Sequence, residues 1–303
     1  WCAFEFASSM HSDPKFEDKL YFRNGEHFIL GSLQVVTLNL PQAAYFAKGN
    51  INKFMEYCKE SIDIAIEVFK IKKELMNIQS LRFAKQTTID INDKSKRAPP
   101  LWSLDNLPCC IGVVGLNEAV QVMCNEQIHE SKKAHKLAIE LLVKLQIEIM
   151  NASTNTEFKI AFARTPAETT AQRFAICDLK NGYKEIAKKY IKGNIEYALN
   201  NLGEKDLPIF YTNGAMAATD ADISIFEKIR LEEHAFSAFD GGNIFHIFLG
   251  ELNPNPEGIL VLIDRLVHNS NIKYFAFTKD YSICRECNLM QSGLIEKCTC
   301  GST

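Results

Sequence analysis

The chain has 303 residues, of which 47% are hydrophobic and 23% are charged, and its formal net charge is −3. This composition is ordinary for a globular protein of one large or two medium domains with a sizeable core. The small net charge gives no electrostatic reason to bind nucleic acid or an anionic membrane, and no run of about 18 apolar residues is present to span a bilayer. We therefore expect neither nucleic acid nor a membrane as a partner.

The ends of the chain bear on whether it is a fragment, and its cysteines bear on the cellular compartment in which we expect it. It starts at Trp1 without a signal-peptide pattern and stops at Thr303, soon after a cysteine cluster, so we expect a fragment of a longer protein. Ten cysteines without secretory features are typical of a reducing compartment, and we expect a cytoplasmic protein. In that compartment, clustered cysteines indicate metal binding or chemistry rather than disulfides.

Residues 31–41 (GSLQVVTLNLP) predict a short buried strand, because apolar and β-branched residues lie between a glycine and a proline. The run is apolar on both faces and precedes a helical segment that begins at Pro41, which favours a parallel strand covered by helices. Polar side chains interrupt the run at Ser32, Gln34 and Asn39. A single cysteine, Cys2, lies a loop's length upstream.

Two further segments continue the succession of buried strand and covering helix. Residues 52–86 predict an amphipathic helix whose buried stripe contains Phe54, Cys58, Ile62, Ala65, Ile66, Phe69 and Ile71. We interpret Cys58 as a small core residue. Residues 111–118 (IGVVGLNE) predict a strand that turns into a helix, the position at which α/β folds bind ligands. The preceding Cys109 and Cys110 are interpreted as packing residues, since adjacent cysteines bind one metal poorly and strain a mutual disulfide.

Residues 164–172 (RTPAETTAQ) follow a predicted strand at 157–163 and predict the start of a helix. Two interpretations are open. Thr165 as N-cap, Pro166 in the first turn and Glu168 at the capping-box position would give a well-capped helix and nothing more. Alternatively, free N–H groups and the helix dipole would bind an anion such as phosphate, assisted by the hydroxyls of Thr169 and Thr170.

Helices and strands alternate in the rest of the chain. Helices are predicted at 119–150, 219–235 and 259–268, a charged helix or helical pair at 180–205, and strands at 207–213 and 274–278. His129 and His135 do not share a helix face and are not expected to bind a metal. Gly241 and Gly242 indicate close backbone approach to a ligand or another segment, and the nearby His246 is interpreted as a core residue. The alternation predicts an α/β fold with a largely parallel sheet.

Four cysteines lie within 17 positions near the end of the chain: Cys284, Cys287, Cys298 and Cys300. Four thiolates suit tetrahedral Zn²⁺ and leave no open coordination position, so the spacing predicts a structural zinc site. Gly293 allows the chain to turn back between the two pairs. Free thiols and an iron–sulfur cluster are the alternatives.

Taken together, these motifs resemble the anaerobic (class III) ribonucleoside-triphosphate reductases, a glycyl-radical family. The resemblance spans residues 2–303 and rests on segments 31–41, 112–118, 164–170, 211–213, 240–251 and 274–278, followed by the cysteine cluster. It implies anaerobic reduction of ribonucleoside triphosphates to 2′-deoxyribonucleoside triphosphates for DNA synthesis. It also implies that residues 1–278 form part of a ten-stranded α/β barrel and that 279–303 form a zinc-binding segment.

The resemblance also assigns roles to residues. The family's thiyl-radical cysteine, which abstracts the ribose 3′-hydrogen so that the 2′-hydroxyl leaves as water, maps onto Cys2. Ser32 maps onto a polar side chain that contacts the ribose. Segment 164–170 resembles the substrate-binding loop and makes Glu168 an acid/base candidate near the ribose. The implied substrate-binding residues are Thr165, Ala167, Thr169, Thr170 and Asn213.

Three departures from the family pattern are visible. Trp1 stands where the family often has a cysteine, Gln42 stands where it usually has an arginine, and the second cysteine pair is one residue shorter than usual. The glycine that stores the radical lies beyond the cysteine cluster in the family and outside this chain, so we expect the chain alone to be inactive. The implied partners are the substrate triphosphate, a radical-SAM iron–sulfur activating enzyme and a second copy in a homodimer.

Two other functions are compatible with parts of this pattern. A non-catalytic α/β protein with a zinc-ribbon interaction module would need a basic, aromatic-rich face near 284–303. In that segment Arg285 and Lys297 are opposed by Glu286 and Glu296, which disfavours this function. Another glycyl-radical enzyme, such as an acyl-transfer lyase, would need no zinc segment.

Overall fold

The structure is a computed structural model that describes residues 22–23, 27–28, 32–83, 107–165, 167–218, 220–249, 254–272 and 274–302. Cys2, the predicted radical cysteine, lies outside the described residues. In the described part of the chain, no helix is both long and apolar enough to cross a bilayer.

The strands are β1 (Phe22–Arg23), β2 (His27–Phe28), β3 (Gln34–Asn39), β4 (Cys109–Val114), β5 (Ile160–Ala163), β6 (Lys192–Gly193), β7 (Ile209–Phe210), β8 (Phe245–Leu249), β9 (Phe275–Lys279), β10 (Tyr281–Ile283) and β11 (Met290–Ser292). The helices are α1 (Leu40–Ala47), α2 (Ile51–Phe83), α3 (Leu116–Cys124), α4 (Lys132–Thr154), α5 (Glu168–Lys180), α6 (Lys184–Ala187), α7 (Ile195–Asn200), α8 (Ile225–Phe236) and α9 (Pro256–Asn269).

A parallel sheet of β3, β4 and β5, with β4 in the centre, organises the site. Gln34 pairs with Cys109 and Asn39 pairs with Val114, so the carboxyl ends of these strands lie at one edge. Beyond β5, an isolated parallel bridge joins Ala163 to Gly241, and β8 and β9 form a second parallel pair. These pairings confirm the predicted α/β fold with parallel strands.

The two faces of this sheet pack differently. On one face, alternate residues of β4 (Cys109, Ile111 and Val113) enter a core that they share with helices α1 to α4. On the other face, the smaller side chains of Cys110, Ala161 and Ala163 cluster with Val35. Cys58, Cys109 and Cys110 are all buried, and no disulfide links the cysteines of the described residues, which agrees with their interpretation as packing residues.

Three predicted elements need correction. The helix predicted at 119–150 is two helices, because Asn125 adopts a left-handed φ of 64° after α3 and the Ser131 hydroxyl caps α4. Ile71 does not belong to the buried stripe of α2, since its side chain is 58% exposed. The strand predicted at 207–213 shortens to β7, which pairs antiparallel with β6, while its last residues form hydrogen bonds with side chains instead.

Candidate functional site

The segment that follows β5 runs along the carboxyl edge of the sheet and leads into α5. The helix begins at Glu168, its N-cap is Ala167, and no side chain caps it. The predicted capping by Thr165 is therefore wrong. Thr165 instead packs on β4, where an added Cβ at Gly112 would lie 1.6 Å from the Thr165 hydroxyl oxygen. The close approach of this loop to the strand requires a glycine at 112.

Asn213 joins two of the predicted site residues. Its side-chain oxygen accepts a hydrogen bond of 2.8 Å from the Ala167 N–H, and its side-chain nitrogen donates one of 2.9 Å to the Glu168 carboxylate. Glu168, Thr169 and Asn213 also line an open groove of about 540 Å³ between α5 and the segment that contains β7. The structure thus brings Ala167, Glu168, Thr169 and Asn213 together.

The first turn of α5 has free hydrogen-bond donors. The first hydrogen bond of the helix runs from the Ala171 N–H to the Ala167 carbonyl, at 2.8 Å. As at any helix start, the N–H groups of Glu168, Thr169 and Thr170 have no acceptor within the helix, and in the described part of the chain the N-cap residue supplies no side-chain acceptor. An anion at this position would accept these donors and would meet the positive end of the helix dipole.

A buried carboxylate holds the residue next to Asn213. Glu118 is fully buried on α3, and its two oxygens accept hydrogen bonds from the N–H and the hydroxyl of Thr212, at 3.0 and 2.6 Å. Burial raises the pKa of Glu118, and the two bonds from Thr212 oppose that rise. The sequence marked Glu118 as part of a strand-to-helix turn, but it gave no sign of the pairing with Thr212.

A second buried carboxylate holds Tyr211. Asp178, on the last turns of α5, accepts hydrogen bonds from the Tyr211 hydroxyl at 2.9 Å, from Asn39 at 2.9 Å and from Gln42 at 2.7 Å. Its carboxylate has no cationic partner among these donors, and burial raises its pKa to about 6. The Tyr211 hydroxyl also lies 3.1 Å from that of Tyr45.

The polar residue at the end of β3 now has a structural role. Asn39 caps α1 by accepting a hydrogen bond of 3.3 Å from the Gln42 N–H, while its amide nitrogen bonds Asp178. It therefore joins the sheet to the far end of α5.

An ion pair beneath the loop fixes its first residue. Arg164 and Glu232 are 2% and 3% exposed, and the Arg164 Nη2 donates to the Glu232 carboxylate at 2.6 Å. The Arg164 N–H also donates to the Gly241 carbonyl, and Gly242 has a φ of +74° with no room for a Cβ against the Arg164 carbonyl. Gly241 and Gly242 therefore allow close approach to another segment of the chain, which is one of the two interpretations given above.

Ser32 lies elsewhere. It precedes β3 at the amino end of the strand, next to Leu33, whose N–H bonds the Pro108 carbonyl. The six residues of β3 span about 20 Å, so Ser32 is at the opposite edge of the sheet from Asn213. The structure does not bring Ser32 to the α5 site, and its role stays a prediction from the resemblance.

The four cysteines of the final segment converge. Their sulfur atoms all lie within 4.8 Å of one another, and two pairs, Cys284 with Cys300 and Cys287 with Cys298, are 3.6 Å apart. A tetrahedral zinc ion with bonds of about 2.3 Å requires sulfur atoms about 3.8 Å apart, so the residues present fit the ion. The backbone N–H of Cys287 lowers the pKa of the Cys284 thiol to about 6, whereas the pKa of the neighbouring Cys287 thiol is raised, so Cys284 loses its proton first.

The turns around the cluster explain this convergence. The β10–β11 hairpin carries the first pair, and the Asn288 N–H bonds the Cys284 carbonyl at 2.9 Å. Ser282 donates its hydroxyl to the Gly293 carbonyl at 2.7 Å and accepts the Ile295 N–H at 2.9 Å, which directs the chain back towards the second pair.

Comparison with known proteins agrees with this architecture. The chain is 24% identical over 287 residues to the anaerobic ribonucleoside-triphosphate reductase of Enterobacteria phage T4, a match that covers 90% of this chain and 40% of that protein. A solved anaerobic ribonucleotide reductase aligns with a TM-score of 0.66 and 19% identity, over 90% of this chain and 38% of that one. The Thermotoga maritima anaerobic ribonucleotide reductase with dATP bound in the specificity site aligns with a TM-score of 0.64 and 20% identity, over 90% and 41%.

These matches agree on the fold, and the chain spans well under half the length of each of these relatives. A family model described as anaerobic ribonucleoside-triphosphate reductase matches residues 2–303, which is nearly the whole chain. The chain belongs to the anaerobic ribonucleoside-triphosphate reductase family.

Proposed function

We propose that this chain is the substrate-binding part of a catalytic barrel that reduces ribonucleoside triphosphates to 2′-deoxyribonucleoside triphosphates under anaerobic conditions. The observation that carries the proposal is the uncapped start of α5 at the carboxyl edge of the sheet, with Asn213 bonded to Ala167 and Glu168. The family membership supplies the reaction class.

The proposed substrate contact is the triphosphate at the first turn of α5. The N–H groups of Glu168, Thr169 and Thr170 are the donors, and the helix dipole adds a partial positive charge. Thr165 and Asn213 complete the proposed set of binding residues from the sides of the loop. The bond from Asn213 draws the Glu168 carboxylate towards residue 213, which reduces its repulsion of a phosphate.

The proposed chemistry is assigned residue by residue. Cys2 is the thiyl-radical cysteine, Ser32 contacts the ribose, and Glu168 exchanges a proton with the ribose hydroxyls. The glycyl radical that generates the thiyl radical belongs to a residue outside this chain. With that radical present, the Cys2 thiol would give up its hydrogen atom to it, and the resulting thiyl radical would abstract the ribose 3′-hydrogen.

The wider organisation is also a proposal. Residues 1–278 belong to a ten-stranded α/β barrel, a proposal supported by the parallel strands and the solved structures of similar fold. Residues 279–303 form a segment in which Zn²⁺ bound by four thiolates has a structural role. The complete protein is proposed to be cytoplasmic, to form a homodimer and to be activated by a radical-SAM iron–sulfur enzyme.

The decisive experiment replaces Cys2 in the complete protein that contains this chain. Cys2→Ser removes the sulfur that carries the thiyl radical but leaves the radical glycine in place. We expect no turnover of ribonucleoside triphosphates, while the activated glycyl radical remains detectable by electron paramagnetic resonance. Retained turnover would refute the assignment of Cys2.

A further inference from the structure

Residues Tyr211, Thr212 and Asn213 form a segment, here called the strap, that lies across the start of α5. The three side chains are hydrogen bonded to the two ends of α5 and to α3. Tyr211 bonds Asp178 at the end of α5, Thr212 bonds Glu118 on α3, and Asn213 bonds the first turn of α5. The backbone of the strap adds bonds from the Gly115 N–H to the Thr212 carbonyl at 3.0 Å and from the Leu116 N–H to the Gly214 carbonyl at 3.4 Å.

We propose that Glu118 is a positioning residue, which acts through Thr212 to fix Asn213 and so holds the first turn of α5 open for an anionic ligand. The inference rests on the proposed function, because the ligand it implies is the triphosphate of the substrate. Glu118 does not contact the groove itself, since it is fully buried on α3.

The geometry of the Glu118–Thr212 pair carries this proposal. Both oxygens of one buried carboxylate are used on one residue, with bonds of 3.0 and 2.6 Å. These two hydrogen bonds fix both the backbone and the χ1 angle of Thr212, which is 3% exposed and donates its hydroxyl to Glu118. The next residue in the chain, Asn213, thereby points its amide at Ala167 and Glu168.

The bond from Asn213 to Ala167 determines which N–H groups are free. By accepting the Ala167 N–H at 2.8 Å, Asn213 satisfies the donor at the N-cap position, and the donors of the next three residues have no acceptor within the helix. Without Asn213 in place, the loop between β5 and α5 would lose its link to the strap. Positioning of these donors before the ligand arrives reduces the entropy cost of binding.

The test uses Thr212→Val in the complete protein, with amide hydrogen exchange of residues 167–172 as the readout. Valine keeps the shape of threonine and the backbone bond but removes the 2.6 Å bond to Glu118. Without nucleotide we expect faster exchange in 167–172 at Ala167 and Ala171, whose N–H groups are hydrogen bonded. We also expect that about tenfold more ribonucleoside triphosphate is needed to protect this segment. In activated enzyme, the KM for the triphosphate should rise by a larger factor than kcat falls.

Two further variants separate positioning from general stability. Thr212→Ser restores the hydroxyl and should return exchange and affinity towards those of the unaltered protein. Ser153→Ala removes two hydrogen bonds at the amino end of β5, the bond to the Phe158 carbonyl and the bond from the Ile160 N–H. It should lower the melting temperature without changing exchange in 167–172.

The possible outcomes are distinct. Unchanged exchange in 167–172 for Thr212→Val, or equal acceleration in Ser153→Ala, would overturn the positioning role. If ribonucleoside triphosphate fails to protect 167–172 in the unaltered protein, the proposed function fails. In that case the exchange difference between Thr212→Val and Thr212→Ser still decides whether Glu118 positions the helix start.

Discussion

Asp178 is a buried carboxylate surrounded by neutral donors, which is a costly arrangement when the group is charged. Three hydrogen bonds, from Asn39, Gln42 and Tyr211, compensate part of the lost hydration. They do not remove the effect of burial, and the pKa of Asp178 rises from 3.8 to about 6. The native state therefore binds a proton on Asp178 more tightly than the unfolded chain does.

This shift predicts a pH-dependent contribution to stability. A raised native pKa stabilises the fold below the unfolded value of 3.8 and loses that contribution as the pH rises through about 6. Asp178→Asn removes the titration. We expect the difference in unfolding free energy, unaltered protein minus variant, to fall by about 2 kcal/mol between pH 4 and pH 7.

Denaturant unfolding at several pH values measures this difference. Asp206→Asn, which changes an exposed carboxylate, is the control and should not show this dependence. A difference between the unaltered protein and Asp178→Asn that stays constant with pH would contradict the assignment of Asp178 as a group that titrates with a raised pKa.

At the scale of single residues, the sequence indicated which side chains lie at the site but not which groups they form hydrogen bonds with. Ala167, Glu168 and Asn213 were expected to act together, and the structure joins them. The partners of Asn39 and Thr212 could not be predicted, because Asp178 and Glu118 lie far from them in the chain. Burial of a carboxylate is a tertiary property that local patterns do not contain.

At the scale of elements, the loop between β5 and α5 depends on its contact with β4. Gly112 faces the Thr165 side chain so closely that an added Cβ would lie 2.9 Å from the Thr165 Cβ and still closer to its hydroxyl. The sequence predicted a strand-to-helix turn at 111–118 but not this contact, which pairs segments that are distant in the chain. The break between α3 and α4 was also missed, although residues 125–133 (NEQIHESKK) interrupt the apolar pattern with a single apolar side chain, Ile128.

Gly112→Ala tests this contact. The added methyl group has no space, so the strand and the loop must separate, and we expect a loss of about 1–3 kcal/mol of stability. A second substitution, Thr165→Ala, should recover part of that loss, since it removes the hydroxyl that meets the new methyl group.

Chemical denaturation of the two single variants and the double variant provides the measurement. Gly203→Ala is a matched control, because no atom lies within 4 Å of a Cβ added there. If the effects of Gly112→Ala and Thr165→Ala are additive, the proposed clash between the two residues is wrong.

At the scale of the whole molecule, the parallel strand pairs and the cysteine cluster were both visible in the sequence. The strand pattern was sufficient for the α/β class, since apolar β-branched runs alternate with amphipathic helices. The spacing of the cysteines was sufficient for a metal site, and the structure brings all four sulfur atoms within 4.8 Å. The antiparallel β6–β7 pair was not predicted, because strands of two residues are too short to show a period.

Removal of one ligand tests the metal site. Cys287→Ser leaves three thiolates, so we expect zinc content to fall from about one ion per chain to well below half. Elemental analysis of protein purified without chelator measures this, with Cys177→Ser on α5 as the control that should retain zinc. Zinc content near zero in the unaltered protein would show that the cluster does not hold this metal.

The order of strands in the sheet has a consequence for folding. Each parallel pairing in β3, β4 and β5 joins segments separated by long helical excursions, as in the pairs Val36 with Ile111 and Ile111 with Phe162. Closing these long loops costs conformational entropy before any strand has a partner. Such sheets are therefore slow to form. Helices α2 and α4 form their hydrogen bonds internally, so they can precede the sheet and shorten the search that brings its strands together.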